Sequence, residues 1–314
     1  MTMNNTGAGE ALDNSEPTVL AEFLATREDL GVVRNSATHR QMRPHTGRNY
    51  NVINYNRLRA YRVNVGVPTA MAQALADDLT TFSPNEVSVK VQRSGAAQRR
   101  SGDANLDQEI GYEMALAYDR TEEQEGTAQF SSFSSVVGSA GTACSPGFLN
   151  AMDSRLGYGN SRSTPESIPR PWNYIAHPIH KAIVAGRLVP YEAETAGGGV
   201  AYAGTATSGI RPGAGRSQLG DDIIKRGVGA LGMFAGHPFK TTPYIAVDSS
   251  DDASMVLASE NGIYYINEVS YKVKQKELER DGKEFLGWGA YCFGLYKLAT
   301  HGVEGLFDAT ELTG

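Results

Sequence analysis

The residue types that do chemistry are thinly spread along this chain of 314 residues. His177 and His180 stand three apart in His-Pro-Ile-His, close enough for two imidazoles to share a metal. Pro178 separates them and no third ligand is near in sequence, whereas a zinc site takes three or four. His39, His45, His237 and His301 are scattered. Cys144 and Cys292 lie far apart and form no Cys-x-x-Cys pair, so they read as two buried thiols in a reducing compartment. Arg-Pro-Gly-Ala-Gly-Arg-Ser at 211–217 has the glycines of a phosphate loop without its GxxxxGK[ST] spacing or its preceding buried strand. The Asp-Asp pairs at 77–78, 221–222 and 251–252 suit turns and helix caps. No GxGxxG opens a helix and no GxSxG occurs. With no convergent set of groups, the expectation is a protein that is not an enzyme and takes no cofactor or metal.

Charge is the strongest pattern. From Arg48 to Arg100 there are eight bases against three acids, a balance of +5; from Asp103 to Glu125 there are eight acids against one base, Arg120, a balance of −7. Adjacent blocks of opposite sign predict complementary contact, within one chain or between chains. Glu122, Glu123 and Glu125 fall near the end of a predicted helix, where each opposes the helix dipole by about 0.3–1 kcal/mol when exposed. Either packing or a partner must offset them. The net charge of −6 argues against a dedicated nucleic-acid binder.

These groups must be carried on packed elements, and the composition allows it: 40% of residues are hydrophobic and 20% charged. The first residues show no basic segment followed by an apolar one, and no apolar run approaches a membrane span, so a soluble, intracellular protein is expected. Residues 1–17 read as a polar arm. Val19, Leu20, Phe23 and Leu24 open a short amphipathic helix that ends near Gly31. Period two then places Tyr61, Val63, Val65 and Val67 on one strand and Val87, Val89 and Val91 on another, predicting a two-stranded excursion over 48–95. Leu106, Ile110, Met114, Ala117 and Tyr118 share one face of a long helix between Asp103 as N-cap and Gly126 as stop. Tyr112 and Leu116 lie on another side and predict a second neighbour.

Alternating short elements follow. A helix starts at Ser145-Pro146, a strand covers WNYIAHP and a helix covers IHKAIVAG. A Gly-rich loop runs over 195–217 and QLGDDIIKRG makes a helical turn. VGALGMFAG and TPYIAVD read as strands. The chain closes on long strands joined at Asp281-Gly282, with Gly287, Gly289 and Gly294 marking bulges or close backbone approach.

This order resembles the major capsid proteins of tailed bacteriophages, which share the Johnson fold with encapsulins. RLRAYRVNVGVPTAMAQALADDLTTFSPNEVSVKVQRSG is similar to the extended E-loop, and GYEMALAYDRTEEQ to the spine helix. NYIAHPIHKAI and GMFAGHPFKTTPYI resemble segments of the axial domain, and ERDGKEFLGWGAYCFGLYKLATHGVEGLF the last strands of the peripheral domain. The resemblance covers about residues 18–310 and rests on the order of the motifs.

It implies an α+β chain: an N-terminal arm and short helix at 1–47, an E-loop at 48–100, a peripheral domain with the spine helix at 101–130 and 266–314, and an axial domain at 131–265. It implies pentamers and hexamers of one protein forming an icosahedral head around phage double-stranded DNA, assembled in the host cytoplasm and ending in the virion. The partners implied are further copies of the chain, a portal, a separate scaffolding protein, a decoration or cement protein, and packaged DNA met without sequence preference. In such a shell, basic E-loop residues Arg57, Arg59, Arg62 and Lys90 are expected to meet Glu109, Glu113, Asp119, Glu122 and Glu123 of a neighbour's spine helix. Some members weld their shells from an E-loop lysine. No lysine precedes Lys90 here, so a non-covalent shell is expected. An encapsulin-like nanocompartment is the alternative within the fold, and a soluble α/β enzyme the alternative outside it.

Overall fold

The computed structural model describes residues 15–29, 31–43, 47–55, 77–94, 106–159, 168–188, 232–278, 282–296 and 300–310. The alternation near the C-terminus folds as a long antiparallel pair, Ile263–Leu278 (β10) and Gly282–Leu295 (β11). Thr38–Gln41 (β1) adds parallel to β10, and Asn85–Arg93 (β4) antiparallel to β11, giving a four-stranded sheet ordered β1-β10-β11-β4. Val87, Val89 and Val91 do alternate, and they pack against the core on one face of this sheet. They are not half of an excursion. Their partner is β11, and residues 61–67 lie outside the described residues.

The two-stranded ribbon is built instead from Tyr50–Tyr55 (β2) and Asp77–Phe82 (β3). Neither strand shows a clean apolar alternation, because Asn51, Asn54 and Asp77 interrupt it. Cross-strand hydrogen bonds support the ladder: Asn54 Nδ2 donates to Thr80 Oγ1 at 2.8 Å, and Thr81 Oγ1 donates to Asn51 Oδ1 at 3.0 Å. Phe82 anchors the ribbon base in a small cluster with Met42, Tyr264 and Ile266.

Two helices cover this same face of the sheet. Ser15–Asp29 (α1) buries Val19 and Phe23; Leu106–Ala128 (α2) buries Ile110, Met114 and Tyr118, as their spacing predicts. Phe23 stacks on Tyr271 of β10 with ring centroids 3.5 Å apart, and Tyr118 meets the same ring edge-on at 4.9 Å. Gly287 and Gly289 make room for these rings: a Cβ at either would strike the hydroxyl of Tyr271 or Tyr118. Gly126 is not the helix stop. It is an interior position where a Cβ would lie 2.8 Å from Val33 Cγ1, so its missing side chain admits the segment after α1. Of the two residues expected to meet a second neighbour, Tyr112 is 41% exposed and Leu116 is half-buried.

The second sheet has six strands. It contains Val136–Ala143 (β5), Trp172–Ala176 (β6), Met233–Phe234 (β7), His237–Thr241 (β8), Asp252–Ser259 (β9) and Gly302–Asp308 (β12), in the order β5-β12-β9-β6-β8-β7. Pro146–Gly157 (α3), with Pro146 at its first position after Ser145, and Pro178–Leu188 (α4) carry Leu149, Met152, Leu156 and Val184 into a core with Tyr174, Leu257 and Phe307.

Three expectations change here. TPYIAVD forms no strand, since Thr242 closes β8 with a hydrogen bond to Ala176 O and Pro243 follows. The central strand is β9, which is buried on both faces and so lacks the alternation that marks half-buried strands. The final strand, β12, leaves the four-stranded sheet and pairs between β5 and β9. The Gly-rich loop at 195–217, QLGDDIIKRG and the Asp103 cap lie outside the described residues. Among the described residues, no helix is long and apolar enough to cross a membrane.

Candidate functional site

The acidic helix is the natural place to look for function, and its carboxylates divide into two groups. Helical spacing puts Asp119, Glu122 and Glu123 on a stripe with Ala115 and Gly126. The segment Gly31–Ser36, which follows α1, lies along that stripe. The Val33 amide donates to Glu123 Oε1 at 2.8 Å. The Arg34 guanidinium stands 3.8 Å from Glu122, with their side chains 10% and 0% exposed. Gly31, at φ +84, brings the chain past Asp119: a Cβ there would sit 3.3 Å from Asp119 Oδ1. Lys240 Nζ donates to Ser36 Oγ at 2.7 Å and closes the cluster from β8.

The electrostatics follow from this burial. Desolvation, with the Asp119 charge adding to it, pushes the Glu123 carboxyl up to about 7, against the lowering effect of the amides and the Thr242 hydroxyl around it. Burial also raises Glu125 and lowers Lys240. Asp119, Glu122 and Glu123 therefore serve their own chain. Their expected role as acceptors for a neighbour's E-loop is withdrawn, because side chains 2%, 0% and 1% exposed cannot meet another subunit. A charge count along the sequence does not distinguish a buried carboxylate from a solvated one.

Glu109 and Glu113 are exposed on α2 and stay available. Lys90 is engaged within its own sheet: its Nζ lies 2.9 Å from Glu284 Oε2, and this contact helps hold the Glu284 carboxyl below its usual range. Arg57, Arg59 and Arg62 lie outside the described residues. The ribbon presents a surface that the sequence did not flag. Ile53 and Leu79 face each other across β2 and β3, 50% and 57% exposed.

The remaining chemical candidates take structural positions. His180 is fully buried, with Nε2 3.4 Å from the Phe307 carbonyl. Asp248 Oδ1 accepts the Ser250 and Asp252 amides, and Asp252 Oδ1 accepts the Gly141 amide, so Asp252 of the 251–252 pair opens β9 and ties it to the neighbouring loop. Cys144 and Cys292 are both free thiols, and burial pushes Cys292 up to about 11. His237 Nε2 and Asp153 Oδ1 meet at 2.9 Å, a pair separated by too much sequence to be read in advance. A cleft of about 620 Å³ beside α2 is lined by Arg120, Gln124, Thr127, Tyr244, Ile245 and Ser254 among others, and the Ser254 hydroxyl donates to Glu304 Oε1 at 2.7 Å.

No protein-family model and no curated protein matches the sequence. Solved structures do match in fold. The capsid of cyanophage P-SCSP1u is similar with a TM-score of 0.60 at 10% identity, over 88% of this chain and 87% of that one. The Mycobacterium phage Che8 structure is similar at 0.58 and 12% identity, over 90% and 92%. The holo-SrpI encapsulin complex of Synechococcus elongatus PCC 7942 is similar at 0.55 and 9% identity, over 90% and 89%. The two sheets, the long helix and the projecting ribbon thus form the α+β fold common to phage capsids and encapsulins, the Johnson fold.

Proposed function

We propose that this chain is a shell-forming structural protein, the major capsid protein of a tailed bacteriophage. The observation that carries the reading is the fold, matched nearly end to end with capsid chains of similar length. In this reading copies of the chain form pentamers and hexamers that close into an icosahedral head around double-stranded DNA, with assembly in the host cytoplasm. A portal, a separate scaffolding protein and a decoration protein complete the particle. The two-stranded ribbon supports the reading, because a ribbon of two strands is marginal in water by itself and gains from lying on a neighbour. Its exposed Ile53 and Leu79 are suited to that contact.

Within this reading the N-terminal arm and first helix occupy 1–47 and the E-loop 48–100, except that β4 joins the peripheral sheet beside β11. The peripheral domain takes 101–130 and the long strands β10 and β11, the axial domain takes 131–265, and β12 joins the axial sheet. The inter-subunit electrostatic contact reduces to Arg57, Arg59 and Arg62 of one copy against Glu109 and Glu113 of another.

Negative-stain electron microscopy of the chain expressed alone, with sizing of the soluble fraction, tests the proposal. Closed shells, tubes, or five- and six-membered rings are expected. A monomer that stays monomeric when scaffolding protein is added would overturn it. An encapsulin shell is the second reading, favoured by the equal coverage of the cyanobacterial encapsulin. Purified particles that hold protein cargo and no DNA would select it.

A further inference from the structure

The helices cover one face of the four-stranded sheet; the opposite face carries a pattern of its own. Period two along β10 sets Lys272, Lys274 and Lys276 in one row, all exposed. The register extends the pattern sideways. Lys272 stands opposite Trp288, Lys274 opposite Leu286, and Leu286 in turn opposite Lys90 of β4. The half-buried Leu286 and Trp288 thus form an apolar floor between a row of three ammonium groups and a fourth. Glu284, directly opposite Lys276, is held by Lys90 at 2.9 Å and by Gln92 at 2.7 Å, and Glu86 lies beyond Ser88 on β4. Among the described residues no carboxylate forms an ion pair with Lys272, Lys274 or Lys276. In a chain of net charge −6, this is a concentrated positive surface.

We propose that this face docks an extended acidic segment of a partner protein. Lysines at alternate positions of one strand repeat every 6.6–6.8 Å or about that distance. An extended peptide with an acid at every second residue repeats its carboxylates at the same interval, and its alternate apolar side chains would meet Leu286 and Trp288. The arrangement favours a polypeptide over a nucleic acid. The cations around Leu286 and Trp288 are all lysines; the arginine of this face, Arg40 of β1, sits over the Tyr264 ring at the other end of the sheet, so the floor itself lacks the planar fork that grips phosphates. The Trp288 ring is already capped by Lys272 Nζ, 5.5 Å from its centroid, and that face is closed to a stacking base. The surface belongs to the single chain and does not depend on the shell reading.

The test uses the full chain and two labelled probes followed by fluorescence anisotropy at low salt: a twelve-residue peptide of alternating glutamate and valine, and a twelve-nucleotide oligothymidylate. The peptide is expected to bind the wild type, to weaken with added salt, and to weaken about tenfold or more in Lys272→Glu/Lys274→Glu. Arg120→Glu/Lys181→Glu makes the same change in net charge on other surfaces and is expected to leave binding within about twofold. Absence of peptide binding would overturn the proposal. So would equal losses in the two variants, which would make the attraction a property of net charge. Oligothymidylate binding tighter than peptide and lost in the first variant would assign the face to nucleic acid instead.

Discussion

The Val33 backbone amide donates a 2.8 Å hydrogen bond to Oε1 of Glu123 across 90 residues of sequence. With Arg34 beside Glu122, it ties the segment after α1 to the C-terminal half of the long helix. The acidity that sets this helix apart in sequence is, over its last two turns, an internal fastening.

Glu123 makes the fastening sensitive to pH. Its folded carboxyl sits at about 7 against an ordinary value of 4.5, so the folded chain holds a proton that the unfolded chain has released. The stability that comes with the proton is full below the ordinary value. It is lost as pH rises from there through about 7, a change of order 3 kcal/mol. Thermal melts of the wild type should fall in midpoint between mildly acidic and mildly alkaline pH. Glu123→Gln keeps an acceptor for the Val33 amide and should flatten that slope, melting above the wild type on the alkaline side. Parallel slopes for the two proteins would contradict the assignment.

Gly111 fixes how closely the two helices approach. A Cβ at this position would sit 2.6 Å from the Val19 carbonyl oxygen and 3.0 Å from Glu22 Cβ. In an exposed helix, Gly to Ala stabilises by about 1 kcal/mol. Here Gly111→Ala should instead destabilise by about 1–3 kcal/mol, because α1 is forced away from α2. Chemical denaturation measures the change, and faster proteolysis within residues 15–29 would locate it. A gain in stability would show that the helices adjust without cost.

Glu109 and Glu113 are the acids of α2 left for a neighbour. Each exposed pair contributes about 0–1 kcal/mol, but a shell repeats it at every interface. Glu109→Lys/Glu113→Lys should lower particle yield and shift it toward high salt, read by sizing and electron microscopy. Adding Arg59→Glu/Arg62→Glu should restore part of the yield. Normal particles with unchanged salt dependence would rule out this contact.

A shell of this protein should be held without covalent links. No lysine precedes Lys90. Lys90 itself lies within β4, beside Glu284. Particles boiled in detergent should run as one band near 33.7 kDa. A ladder of higher multiples would refute the expectation.

Much of the architecture was legible because it is written in local period. Ile110, Met114 and Tyr118 mark a helix face, and the alternation about Val273 and Phe285 marks strands; such patterns need only neighbouring residues. Gly287 and Gly289 were legible as either bulges or close approaches, and only the packed Tyr271 and Tyr118 hydroxyls show what approaches them. The ribbon was not, because β2 and β3 are too polar to alternate cleanly and are held by their ladder and by Phe82. Nor was the departure of β12 to the second sheet. The strand pattern of Gly302–Asp308 states that a strand forms and is silent about its partner.

The carboxylates show where the boundary lies. Sequence alone determined that α2 is strongly acidic and helical. Only the tertiary structure decided that Asp119, Glu122 and Glu123 are inside while Glu109 and Glu113 are outside. The reason is that burial depends on what covers a face, and here the cover is Gly31–Ser36, brought in from some 90 residues away. A charge acts by the dielectric around it as much as by its sign, and that dielectric is set by packing.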